Sequence, residues 1–164
     1  MISTARSLDI IREARGRGVE VYVSVAAHHL FFNETDVGDY LTYCKVNPPF
    51  RCEEDRLALI EGLRTGQIDA IVSSHDPQPP EAKRLPFDEA SFGAAGLETL
   101  LSTLTTLASE PHYELDLMTA LRAVTLSPAE LLDLPQGRLK IGAPADLAII
   151  DPNRPWKCDG DHLH

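Results

Sequence analysis

The sequence predicts an α/β fold with parallel strands, built in the manner of a (β/α)8 barrel. Three observations lead there. Helix-like and strand-like stretches alternate through the first half, the rhythm of βαβ units. Residues 68–72 (IDAIV) are a short, β-branched apolar run of the kind that fills a buried strand. That run empties into Ser73, Ser74, His75, Asp76, Pro77 and Gln78. A polar cluster at the C-terminal end of a buried parallel strand is where such a barrel keeps its active site.

In order, Ser3 is the expected N-cap of a helix over residues 4–15. Ala5, Leu8, Ile11 and Ala14 form its buried face, and Gly16 and Gly18 suit its end. Residues 19–25 (VEVYVSV) read as a strand leading to His28 and His29. Residues 41–46 read as one more short strand. Pro48 and Pro49 then preclude a helix and hold Asn47 at a rigid bend. Residues 53–63 form an amphipathic helix with Leu57, Ile60 and Leu63 inward, and Gly66 stops it. After the strand at 68–72 comes a proline-rich loop. Helices follow from Gly96 to about residue 108, over 115–124 and over 128–132. The tail changes character: residues 137–146 are turn-rich, and residues 147–150 and 155–157 read as strands outside the βα rhythm. The expected division is residues 1–134 for the barrel part and 135–164 for the start of a small β domain.

The chain has 164 residues, enough for one domain with a sizeable core. A net charge of −10 argues against partners such as nucleic acid or an anionic membrane surface. Cys44, Cys52 and Cys158 are odd in number and share no CxxC spacing, so they read as reduced thiols of a cytoplasmic protein. No signal segment or membrane span is legible. Two or three strands cannot close an eight-stranded barrel. The expectation is a C-terminal piece of something larger, or a protein that covers its open edge by association.

Adjacent His28 and His29, on an extended chain, would point to opposite sides and not share one metal. Ser73, Ser74, His75 and Asp76 contain the residue types of a hydrolase triad, but sequence neighbours do not form one, and no GxSxG elbow is present. Neither HExxH nor HxH occurs in the barrel-like half; the terminal His162 and His164 have HxH spacing only at the chain end. Extension past Ser74 would put Ser74 and Asp76 on one side of the strand, with Asp76 one rung, roughly 6–7 Å, further along.

Five motifs in a fixed order carry a resemblance: HHL at 28–30, KVNPPFR at 45–51, IDAIVSSH at 68–75, FGAAGLET at 92–99 and GRLKIGAPADLAIIDP at 137–152. Together they resemble the C-terminal part of the bacterial type I dihydroorotases of the amidohydrolase superfamily. The resemblance implies the C-terminal portion of a (β/α)8 TIM barrel, plus β elements of a small composite domain. It implies hydrolysis of a cyclic amide, interconverting dihydroorotate and carbamoyl aspartate in pyrimidine biosynthesis, through a zinc-bound hydroxide and an acid–base Asp. It places His28 at a metal-ligand position of a full-length parent, and Asn47, Gln78, Phe92 and Gly93 among substrate-binding positions. Lys45 and Arg51 match the motif without a metal role.

The sequence departs from that pattern. Ser74 stands at the catalytic Asp position, Gln78 replaces a His, and Met1 falls where a metal-ligand His precedes the Ser-Thr pair. Asp76 is the candidate substitute acid. No zinc is expected on this chain alone. Two readings stay open: part of a zinc-dependent amidohydrolase, or a non-catalytic paralogue acting as an assembly partner. The expected partners are the remaining barrel segment, a second copy, or aspartate transcarbamoylase.

Overall fold

A computed structural model describes residues 1–160 and Leu163. Helices α1 (Ala5–Gly16) and α3 (Glu53–Arg64) flank strand β1 (Ser24–Ala26), the one-turn helix α2 (Ala27–Phe31) and strand β2 (Ala70–Val72). Helices α4 (Pro80–Lys83), α5 (Leu100–Ser109), α6 (Leu117–Arg122) and α7 (Leu126–Leu131) follow. Strands β1 and β2 pair in parallel, Ser24 with Ala70 and Ala26 with Val72. A parallel bridge from Ile2 to Val25 extends this arc on one side, and the Ile71 amide donating to the Ala123 carbonyl extends it on the other. The predicted α/β, parallel organisation therefore holds.

The core lies between the arc and the helices. Val25, Leu30, Leu59, Leu63 and Leu104 are fully enclosed. On α3 the inward stripe is Arg56, Leu59, Ile60 and Leu63, an i, i+3, i+4, i+7 pattern. Leu57 was expected inside but stands exposed, because Arg56 takes the inward position one residue earlier. Gly62 lets α3 approach closely: a Cβ there would sit 3.1 Å from Leu8.

The elements depart from expectation in four places. The cap of α1 is Thr4, whose hydroxyl accepts from the Ser7 amide; Ser3 is buried instead. The first strand is short because side chains take its backbone groups. Arg15 donates to the Val21 carbonyl, and Asp69 accepts from the Val23 amide at 2.7 Å. Residues 41–46 are not a strand; Thr42–Cys44 is a 3-10 turn. Residues 147–150 and 155–157 are not strands either, since a strand needs a neighbour and none is paired with them among the described residues. Ile141 and Ile149 there are wholly exposed.

Candidate functional site

In a parallel arc the C-terminal ends of all strands lie on one side. Here those ends lead into Ser3, into α2 with His28, and into residues 73–78. The sequence-predicted cluster is thereby placed at one end of the sheet.

His28 and His29 sit on the helical turn α2, not on an extended chain, which corrects the expectation of opposed side chains. Their ring centroids are 4.6 Å apart, and both rings meet the edge or face of Phe50, at 5.6 and 5.7 Å. His29 Nε2 lies 3.0 Å from the Pro48 carbonyl oxygen, which ties α2 to the Pro-Pro bend. His28 Nε2 and His29 Nδ1 are buried without a hydrogen-bond partner among the described residues. Burial, with a smaller push from His29, lowers the His28 pKa to about 4, and burial lowers that of His29. Both rings are therefore neutral at pH 7.

Beyond β2 the chain does not stay extended. Ser74 has φ 48°, a left-handed conformation costly for a non-glycine residue. The expected strand alternation between Ser74 and Asp76 therefore breaks at Ser74 itself. His75 pairs with Ala94 instead, and its Nδ1 accepts from the Gly96 and Leu97 amides at 3.3 and 3.2 Å. That acceptance leaves the proton of the neutral ring on Nε2. Asp76 is exposed, and its Oδ1 accepts from Gln78 Nε2 at 2.9 Å. Gly93 lies so close that a Cβ there would be 2.6 Å from Asp76 Oδ2. Gly96 presses equally on the Ser73 carbonyl. The FGAAG stretch is thus a glycine brace against the strand end.

Two buried lysines, whose joint role the sequence did not signal, hold the surrounding loops. Lys45 Nζ donates to the Phe87 and Asp88 carbonyls at 2.6 and 2.9 Å and lies 4.8 Å from the Phe92 ring centroid. Lys83 Nζ donates to the carbonyls of Thr42, Lys45 and Ser91 at 3.0, 3.2 and 2.8 Å. Burial and then Lys45 lower the Lys83 pKa. The Gly93 amide donates to the Lys45 carbonyl, so Phe92 and Gly93 are fixed against the loop that carries Asn47. Asn47 itself is exposed on that loop, and Phe92 is half exposed.

The arrangement joins Asp76, Gln78 and Gly93 in one contact group, and His28 with Ser73 around one cavity. Asn47 and Phe92 meet the first group only through the lysine clasp. A tight zinc site takes three or four converging His, Cys, Asp or Glu side chains. No such group of three exists among the described residues. His162 and His164, with their HxH spacing, lie outside the described residues. The donor set described here therefore does not fit zinc by itself, with His28 Nε2 one orphaned donor. What the site can do with its own groups is bind: it presents amides, a glycine-braced carboxylate and an uncharged imidazole.

Residues 97–164 match the Amidohydrolase family profile. The chain is 41% identical over 158 residues to a dihydroorotase of Ehrlichia canis, covering 96% of this chain and 35% of that protein. A dihydroorotase of Desulforapulum autotrophicum is 42% identical over 153 residues, again 35% of its length. Among solved structures, the L-hydantoinase of Arthrobacter aurescens superposes with a TM-score of 0.81 at 29% identity, over 88% of this chain and 33% of that one. A D-hydantoinase from Thermus sp. gives 0.77 at 23% identity, which speaks for the fold alone. The chain spans about a third of the length of these relatives. Its architecture is that of a portion of an amidohydrolase (β/α)8 barrel.

Proposed function

We propose, from the chain's kinship with the dihydroorotases of the amidohydrolase superfamily, that it is the late-strand portion of a dihydroorotase-like cyclic-amide hydrolase and is not catalytic on its own. The observation carrying this reading is the single end of the parallel arc at which His28, the 73–78 turn and the 92–96 brace meet, in a chain about 40% identical to dihydroorotases. In this reading Asn47, Gln78, Phe92 and Gly93 form the substrate-binding rim. Zinc, where the parent holds it, polarises the amide and activates water, with His28 one candidate ligand. The remaining ligands come from outside this chain. A partner then completes the barrel, either the remaining barrel segment or a second copy. The division at residue 134, the cytoplasmic setting and the pyrimidine pathway belong to the same proposal.

One observation favours the second reading, a non-catalytic paralogue used in assembly, for instance with aspartate transcarbamoylase. The position of the acid is occupied by Ser74, and its left-handed backbone directs the following residues toward Ala94 and Gly93. Asp76 is thereby held by Gln78 and the brace, not offered one rung along the strand. An Asp76 carboxylate must come within about 2.6–3.2 Å of the proton it moves, directly or through one water. The test is dihydroorotate hydrolysis by this chain with added zinc. No turnover above the uncatalysed rate is expected; zinc-dependent turnover that Asp76→Asn abolishes would overturn the reading.

A further inference from the structure

We propose that the cavity between α2 and α5 is a binding site for a small neutral aromatic alcohol of the phenol class. This stands apart from the cyclic-amide reading: it requires no turnover, and Asp76 and Gln78 do not line the cavity. The cavity measures about 310 Å³, within the range of small-molecule pockets. Its walls are of two kinds. Phe31 and Phe32 of α2 and Trp156 from the C-terminal segment supply aromatic faces. His28, Ser73 and a stripe of α5 hydroxyls supply hydrogen bonds.

Charge decides the ligand's class. No Asp, Glu, Lys or Arg lines the cavity, so an ionised ligand would lose its hydration without a counter-charge. Hydrogen bonding decides its polar group. Thr99 and Ser102 spend their hydroxyl protons on the Gly96 and Thr99 carbonyls, leaving acceptor lone pairs. The Thr103 and Thr106 hydroxyls have no partner among the described residues, and His28 Nε2 is buried and unpartnered. A buried nitrogen without a partner is rare in folded proteins and calls for a ligand or water. A phenolic O–H both donates and accepts, so it serves Nε2 in either tautomer while the ring lies against the aromatic walls.

Trp156 is the only tryptophan of the chain, so its emission reports occupancy directly. The probes are phenol, anisole, which lacks the donor, and benzoate, which is charged. Phenol is expected to change Trp156 emission saturably and to shift the ¹⁵N resonance of His28 Nε2, with anisole and benzoate each about tenfold weaker. Thr103→Val keeps side-chain shape and is expected to weaken phenol about fivefold; His28→Phe should do so about tenfold. A non-saturable response, equal binding of benzoate, or phenol affinity unchanged in Thr103→Val would overturn the proposal, and the last holds even if His28→Phe fails to fold.

Discussion

At the scale of single residues, the site rests on atoms held in unusual circumstances. His28 keeps an unpartnered, neutral ring because burial outweighs its affinity for a proton. The folded pKa, about 4, lies below the ordinary 6.5, so the unfolded chain binds the extra proton. The contribution of a neutral His28 is therefore complete above pH 6.5 and is lost as pH falls from 6.5 toward 4. At most about 3 kcal/mol is at stake. Urea unfolding across that window should show the fall, and His28→Phe should flatten it. Gly93 offers a second case: with φ 121° and a Cβ position 2.4 Å from the Asp76 carbonyl oxygen, Gly93→Ala should cost more than about 1 kcal/mol in the same assay. The sequence named Ser74, Asp76 and Gly93 as site residues, because turn and strand-end chemistry is local. It could not reveal that Ser74 turns left-handed, since that depends on Ala94, Gly93 and Gly96 meeting the strand end from some twenty residues away.

At the scale of elements, α2 is fixed by a network that hydrophobic patterning hides. Arg56 donates to the Leu30 carbonyl at 2.9 Å, to both oxygens of Glu53, and to the Tyr113 hydroxyl at 2.8 Å. Asn33 completes it by donating to Glu53. Arg56, followed by burial opposing it and then Asn33, brings the Glu53 pKa to about 2, so the pairing persists until pH falls from about 4.5 toward 2. Arg56→Leu should destabilise the chain by about 2 kcal/mol, with Arg56→Lys recovering little because a lysine cannot make the forked contact. Thermal or urea unfolding checks both. Helices α1, α3 and α5 were legible because their periodicity extends over ten residues or more. Strands of three residues carry no such signal, and β1 was overread because Val19, Val21 and Val23 look extended while Arg15 and Asp69 hold them outside the ladder. The tail strands failed for a related reason: an apolar run becomes a strand only beside a partner.

At the scale of the whole molecule, the parallel arc of Ile2, β1 and β2 is open beyond Ile2, and Leu139, Ile141, Leu147 and Ile149 stand largely exposed. Open edges and exposed apolar runs drive association. Sedimentation of the isolated chain should show concentration-dependent self-association, and a monomer throughout the micromolar range would refute that expectation. The central claim is that these strand ends belong to a cyclic-amide hydrolase site disabled at position 74. Its most direct measurement is turnover of dihydroorotate by a chimera in which this chain replaces the matching third of the Ehrlichia canis relative. The account predicts that the Ser74 chimera is at least about a hundredfold slower than the same chimera carrying Ser74→Asp, the loss expected for a missing general acid–base group. Equal rates in the two folded chimeras would contradict it.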